Sequence, residues 1–552
     1  MTGYEVAEKE FCLLNEPWIR VLTPECDLKE VSLKEALLNA HEYAGLGGEM
    51  PAQDVAVLRL LVAVVHTVFT RWDIHGQQSS VQDEEEAINR WKALWDIGQF
   101  PTDALESYLN QWEDRFWLFH PERPFYQVPC AQNGTENSVA KLNGEVSESN
   151  NKARLFSSIA GKGKEKMTYA EAARWLIFMN GYDDCAAKQR DKSDGVRSGT
   201  VGWLGKIGLI LAQGTNLFET IMLNMVMFDG YGQLWANDDR PAWEAKKLRE
   251  KERQTITMPN DLAGLFTLQS RRILLKKQDN CVVRYALLVG DAFDDMNAVN
   301  EPMTLWKYDE DKKTKVGFYR PRRHERIRQI WRDFELMTEN EDSYRRPGVV
   351  EWCGLLRRDH ILSRGKMVTF RTVCVKYDAK SSSITDSFMD SLTFHIDLLS
   401  ELGKEWRKQV VNQIDKINEA ASECWKLALN LCAATGQEGD KAKQKADEAK
   451  ERLYEELDLP FRAWLANLNP EQTAEKRQQE ISQWETEVRT CALRLGQQMA
   501  NDKGDTAFVG RSIDDKKKKG SRHYSSPEAI RWYRNGINTI YPLTKKGESE
   551  NG

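Results

Sequence analysis

The spacing of apolar residues changes character near residue 396. Beyond it, Leu398, Leu402, Trp406, Val410, Ile414, Ile417, Ala421, Trp425 and Ala428 recur every three or four positions, the period of one buried helix face. Ala442, Ala446, Ala449, Leu453 and Leu457 repeat the pattern as far as Pro460, whose missing N–H predicts the end of that helix. Trp484, Val488, Cys491 and Leu495 mark a third helix after Pro470, and a fourth begins at Ser526-Pro527. Four amphipathic helices with short or polar connections predict a four-helix bundle over residues 396–552, with the Trp and Leu stripes as its core.

Upstream, residues 1–395 predict a mixed α/β domain, so the fold class is α+β. Residues 53–72 read as a long apolar helix, and Ser32 as the N-cap of a helix over LKEALLNA. Phe11 to Leu22 reads as an apolar strand or turn around Pro17-Trp18, and Asp83 to Glu86 opens a solvated helix. The stretch around 112–129 is aromatic and broken by proline, which predicts core and turn rather than periodic helix. Residues 206–228 read as a further buried element, and the charged segment from Trp243 to Gln254 as an exposed helix or linker. Between about 256 and 395, RRILLKK, CVVRYALLVG, KVGFYR and MVTFRTVCVKY alternate with turns, as strands do.

The stretch from Lys152 to Gly205 stands apart. Leu155-Phe156 leads into a small basic loop, Ser157 to Lys166. A helix comes next, with Thr168 as N-cap, Glu171 at the capping-box position and Ala172, Trp175, Leu176 and Met179 at helical spacing. A second loop, Gly181 to Gly205, carries Gly195, Gly199, Gly202 and Gly205 with Lys188, Arg190, Lys192 and Arg197. Two basic loops joined by one helix can grip a polyanion; taken alone they also fit ordinary solvated loops.

Composition narrows the function. The 552 residues carry a net charge of −6 with 41% apolar content, so any polyanion contact must come from local patches. Tyr319 to Arg332 holds six arginines against one glutamate, and Lys516 to Arg522 and Lys162, Lys164 and Lys166 add two more basic clusters. Such side chains bind phosphates without reading bases, although the same charge also suits a plain surface or a protein partner. The ten cysteines form no CxxC pair, which predicts free thiols in a reducing cytoplasm and no structural zinc. The N-terminus lacks a basic-then-apolar signal peptide. Val55 to Phe69 is interrupted by Arg59 and His66, which suits a buried helix better than a membrane span.

Catalytic signatures are missing. There is no Walker A sequence, GxGxxG after a strand, GxSxG or HExxH. His66, His120, His324, His360 and His395 lack a partner motif, and Asp183-Asp184 and Asp294-Asp295 read as solvated turns. The expectation is a protein that is not an enzyme and has no catalytic residue, metal or cofactor. Two other readings stay open: a structural scaffold of a ribonucleoprotein complex, and a metal-dependent nuclease or hydrolase built from scattered carboxylates.

Four segments, in order, carry a family resemblance: LLNEPWIRV near the N-terminus; HPERPFYQV; ARLFSS with DGVRSG and GTNLFETIMLNMV; and VKYDAKSSSITDSFMDSLTFHIDLL ahead of the bundle. Together they resemble the CasA family, the large subunit of the type I-E CRISPR Cascade complex. The resemblance implies a subunit that works with other Cascade proteins and a CRISPR guide RNA. It implies recognition of the protospacer-adjacent motif (PAM) in double-stranded target DNA, help in opening the duplex, and presentation of the bound target to a helicase-nuclease, with no membrane involved. Protein reads the PAM and base pairing reads the rest in other RNA-guided effectors too.

By the same resemblance, Phe156, Ser157 and Ser158 match the family's first loop, with Lys162 and Lys164 beside it. Residues 191–199 match its glycine-rich PAM-reading loop, where Gly195, Arg197 and Gly199 hold the core and Lys192, Ser193 and Asp194 replace much of the glycine run. Asp378-Ala379-Lys380-Ser381 falls where relatives place a wedge that often contains Gln or Asn. The lysine that some relatives push into the minor groove pairs here with Ala292, which implies a relaxed PAM preference. Lys516, Lys517, Lys518 and Lys519, with Lys404, Arg407 and Lys408 as exposed bundle residues, are expected to guide the displaced strand.

Overall fold

The computed structural model describes residues 8–142, 165–189, 196–198, 200–235, 240–515 (apart from 249, 252, 254, 255, 257–260 and 297) and 520–542. The chain divides into two units. The first comprises Met1–Glu325, Leu336–Leu362 and Val368–Ser391; the second comprises Arg326–Glu335, Ser363–Met367 and Leu392–Gly552.

The first unit is built around the helix Pro51–Phe69, started by Pro51 at the position where a missing N–H costs nothing. It is buried along nearly its whole length, as its unbroken apolar sequence requires. Burial pushes His66 on this helix down to about 3, so the ring is neutral there. Arg59 is the exception to the apolar run, and its guanidinium is met by the equally buried Glu301, with Nη1 and Nη2 at 2.8 and 2.9 Å from the two carboxylate oxygens.

The helices Leu262–Phe266, Tyr169–Tyr182, Leu217–Asn224 and Thr102–Gln111 pack against the helix Pro51–Phe69, and small antiparallel sheets complete the architecture. Ile19–Leu22 lies between Leu28–Val31 and Gly45–Leu46. Cys281–Val289 lies between Arg271–Gln278 and Thr135–Ser138. The turn between its two long strands is Asp279-Asn280, both at positive φ, the conformation a two-residue hairpin loop demands and Asp and Asn tolerate. Trp306–Glu310 pairs with Gly317–Pro321 and Tyr344–Arg345, and Met367–Tyr377 lies between Ile384–His395 and Leu209–Gln213.

The expected strands are therefore present, and unexpected ones join them, the longest being Ile384–His395. Ile384–His395 is hard to see in the sequence because its burial stays partial until Leu392 and Phe394, so its residues (ITDSFMDSLTFH) show little apolar alternation. The start of the charged segment from Trp243 to Gln254 corrects another expectation, whereas Lys246, Lys247, Glu250, Lys251 and Arg253 are exposed as expected. Trp243 and Glu244 are buried; Trp243 Nε1 donates to Tyr108 Oη at 2.7 Å, and Tyr108 Oη and Arg71 Nη1 both donate to Glu244 at 2.7 Å.

The second unit contains the four expected helices, Lys404–Ala434, Asp440–Asn467, Ala474–Asn501 and Ser526–Ile540. A short helix, Gly504–Val509, and a hairpin, Arg511–Asp515 with Gly520–Tyr524, precede the last of them. The stripe begins later than its spacing implies: Leu398 sits in a 3-10 turn, and Leu402 is 49% exposed. Pro460 does not end the second helix, which continues to Asn467. The turn after the proline buries Phe461 and Leu465 completely, Phe461 stacking on Trp331 at 4.4 Å. Two such side chains stabilise by roughly 3–6 kcal/mol together, which offsets the ~3 kcal/mol an interior proline costs. The last helix packs closest at Gly496, where a Cβ would lie 2.2 Å from the ring of Tyr533.

Candidate nucleic-acid interface

The helix Tyr169–Tyr182 anchors the region singled out by sequence. Thr168 Oγ1 accepts from Glu171 N at 3.2 Å and Glu171 Oε2 accepts from Thr168 N at 2.9 Å, the reciprocal capping box expected. Arg174 on this helix is buried and donates to the Trp18 carbonyl at 2.6 Å and to the carboxylates of Glu30 and Glu49. The helix is thereby fixed to the N-terminal strands.

Beyond this helix two short strands stand where the sequence predicts loop. Ala187–Gln189 and Val196–Ser198 form a hairpin, with Lys188 opposite Arg197. The Asp183-Asp184 pair at its root corrects the expectation of a solvated turn. Asp183 is buried and accepts from Arg271 Nε, with Lys188 Nζ 3.0 Å away. Burial alone would raise its carboxyl, but the charges of Lys188 and Arg271 outweigh that and hold it below the ordinary value. Lys188 Nζ also donates to the Asp184 and Ala186 carbonyls and to Asp184 Oδ1, at 2.8, 3.1 and 2.8 Å. Lys188, expected among the cations that grip a polyanion, is thus spent inside the protein.

The turn that resembles a wedge is built on Asp378. Its Oδ1 accepts from the N–H groups of Lys380 and Ser382 at 3.0 and 2.8 Å, and its Oδ2 accepts from the Ser382 hydroxyl at 2.7 Å. Those bonds, the Ser382 hydroxyl first, hold its carboxyl below the usual carboxylate range. The turn leaves Ala379 and Lys380 exposed and Ser381 at φ +53°. Among the described residues Lys380 has no ion-pair partner.

These two elements, 195 residues apart, meet. Cys185 N donates to the Ser381 carbonyl at 2.8 Å, Cys185 Sγ lies 2.9 Å from the Lys380 carbonyl, and Tyr377 Oη donates to the Tyr182 carbonyl at 2.6 Å. The hairpin root and the Lys380 turn therefore share one base. Gly205 makes the approach possible, because a Cβ there would lie 2.0 Å from Tyr377 Oη. Gly205→Ala should destabilise the protein by ~1–3 kcal/mol, read as a lower melting temperature, and Tyr377→Phe should recover part of it by removing the nearest clashing atom. Equal melting of Gly205→Ala and wild type would contradict this packing.

Several expected site residues lie outside the described residues: Phe156, Ser157, Ser158, Lys162, Lys164, Gly195, Gly199, and Lys516, Lys517, Lys518 and Lys519. Arg197 is described only as a strand position. Lys404 and Lys408 are exposed, in pairs with Glu401 at 3.7 Å and Glu405 at 2.9 Å. Arg407 is not exposed: it is buried, and its Nη1 donates to the Leu398 and Ser400 carbonyls, closing the turns that precede the helix. The arginine-rich segment also turns partly inward. Arg328 pairs with Asp333 at 2.7 Å, and Arg332 pairs with Glu451 at 3.0 Å over the ring of Tyr454. His120, a candidate by residue type, instead fixes a turn: its Nδ1 accepts from the N–H groups of Glu122 and Arg123 at 3.0 and 2.9 Å. Sequence reasoning passes over Arg271 and Tyr377, since nothing in their local pattern marks a long-range bond.

Comparison with known proteins places this geometry. The model of the family described as CRISPR-associated protein Cse1 matches residues 13–495. The CasA/Cse1 protein of Thermus thermophilus is 31% identical over 338 residues, a stretch that spans 60% of this chain and 61% of that relative. The crystal structure of Thermobifida fusca Cse1 superposes with a TM-score of 0.81 at 27% identity, covering 97% of this chain and 98% of that one. At 16% identity, a chain of a CRISPR RNA-guided surveillance complex shares the fold, with a TM-score of 0.67 over 96% of this chain and all of that one. By the extent of the family match and the agreement of the fold, this chain belongs to the Cse1 (CasA) family of CRISPR-associated proteins, the large-subunit family of type I-E Cascade.

Proposed function

We propose that the protein recognises the PAM in double-stranded DNA as part of an RNA-guided Cascade-type complex in the cytoplasm. It works there with other Cascade subunits and a guide RNA, helps open the duplex for pairing, and presents the bound target to a helicase-nuclease. In this reading the chain catalyses nothing itself; cleavage belongs to the recruited partner.

The observation that supports it is the shared base of the two elements. A hairpin carrying Arg197 and a turn exposing Ala379 and Lys380 are tied together through Cys185, Tyr182 and Tyr377. A rigid support is what a reader of a short duplex motif needs, since loosely held side chains lose discrimination to their own ordering entropy. Lys380 supplies a cation for the backbone or groove edge but no planar amide to stack at an opened base pair, so duplex opening here rests on insertion and charge rather than on a Gln or Asn wedge.

The test is a gel shift of guide-bound complex, with and without this subunit, on guide-matched duplexes carrying a library of flanking trinucleotides. Flank-dependent binding is expected only with the subunit present, and Lys380→Ala should weaken it by about tenfold, near the 1–3 kcal/mol of one good contact. Binding that is identical without the subunit would leave a scaffold role as the better account.

A further inference from the structure

A second basic feature shares no lining residue with the hairpin or the Lys380 turn. A cavity of about 100 Å³ in the first unit is lined by Arg115, Arg123, Arg240, Lys247 and Arg253, with Asp291 as the one acidic side chain. Asp291 is already engaged, accepting from Arg253 N at 2.8 Å and Arg253 Nε at 2.9 Å. Arg240 lies 3.6 Å from Glu244, a carboxylate that also serves Arg71 and Tyr108. Arg115, Arg123 and Lys247 have no ion pair among the described residues, and Arg123 Nη1 is buried without a hydrogen-bond partner.

Such a concentration of like charge is unfavourable as it stands. Burial first and the neighbouring Arg123 second press the Arg115 guanidinium below its ordinary value. A buried guanidinium N–H without an acceptor carries a desolvation penalty that an anion would remove. The turn that carries Arg123 is held by His120 Nδ1, which accepts from the N–H groups of both Glu122 and Arg123. The arginine therefore stands on a fixed support rather than a free loop.

Size decides what kind of anion fits. At about 30 Å³ of liquid per water, the cavity has the room of roughly three waters, enough for one phosphate group. It is well below the ~300–1,000 Å³ typical of sites that enclose a small organic molecule. Guanidinium forks match phosphate oxygens in geometry and charge.

We propose that this cavity binds a single phosphate group, donated either by a nucleic-acid backbone or by a free phosphate ion, with Arg115, Arg123 and Lys247 as its principal ligands. The site is independent of PAM reading and stands whether or not that reading holds.

Equilibrium dialysis of the full chain against labelled inorganic phosphate, at fixed chloride ionic strength, tests it. Saturable binding of one phosphate per chain is expected. It should weaken about tenfold or more in Arg123→Gln and a few-fold in Lys247→Gln, whose exposed position leaves the fold undisturbed. Arg123→Gln should also melt no lower than wild type without phosphate, since it removes a half-buried like charge. A short single-stranded oligonucleotide that displaces the label would identify the backbone as the source; a bound label that the oligonucleotide leaves in place would identify the free ion. Absence of saturable binding, or equal binding by wild type, Arg123→Gln and Lys247→Gln, would overturn the proposal.

Discussion

Glu301→Ala is expected to be among the most destabilising single substitutions in the first unit. The Glu301 carboxylate is fully buried and takes both Nη groups of Arg59, the indole N–H of Trp203 at 2.8 Å and the Met303 N–H at 3.1 Å. Arg59 sits in the middle of the core helix, 2% exposed, with its guanidinium 3.9 Å from the ring centre of Phe266. Deleting the carboxylate leaves that charge buried and unpaired, a change that costs about 3–5 kcal/mol, out of the ~5–15 kcal/mol that ordinarily separates folded from unfolded. A drop in melting temperature of roughly 6–20 °C is the consequence, read by circular dichroism. The double variant Arg59→Met/Glu301→Gln should regain most of the loss, because it removes the charge yet keeps an acceptor for Trp203. A Glu301→Ala protein that melts within about 2 °C of wild type, less than a 1 kcal/mol change produces, would show that Arg59 is not held as described.

The same pair marks where sequence reading succeeds and where it stops. The core helix is legible because an apolar run of its length with a polar interruption belongs inside a protein. That the interruption at Arg59 is answered by Glu301, 242 residues away, is not legible, because no local period encodes a contact of that range. The bundle shows in its stripes, yet Pro460 misleads: the local rule for proline is correct, and burial of Phe461 and Leu465 outweighs it. The family resemblance rests on ordered short motifs, and those motifs are mixed in kind. Gln127 of HPERPFYQV binds the Leu118 carbonyl and the Leu275 N–H at 2.6 and 2.8 Å, so its part is to hold strands together.

Charge is the least legible property. Lysines and arginines look alike in sequence, but the fold sorts them into two groups. Lys188, Arg271, Arg332 and Arg407 are consumed by internal carboxylates and carbonyls, whereas Lys380, Lys404 and Lys408 remain at the surface. Only the second group can contribute to salt-dependent binding of a polyanion. Replacing Lys188 or Arg271 perturbs the base on which the hairpin stands.

Asp183→Asn separates these two roles, and its expected effect is large. The substitution keeps the shape but leaves Lys188 and Arg271 buried without their shared carboxylate, which costs about 3–5 kcal/mol at the root of the hairpin opposite the Lys380 turn. It should lower both the melting temperature and the flank-dependent part of DNA binding, whereas Lys380→Ala should lower binding alone. The pH dependence identifies the cause. Asp183 has a folded-state value held below its unfolded one, about 3.9, because Lys188 and Arg271 overcome the opposing effect of burial. Its stabilisation is therefore complete above about pH 4 and is lost as pH falls through the folded value. Asparagine does not titrate, so the melting gap between wild type and Asp183→Asn should be constant from about pH 5 to 7 and narrow as pH drops below about 4. A gap that persists unchanged at about pH 3, below the unfolded value, would mean that packing, rather than the charge on Asp183, holds the hairpin to the Lys380 turn.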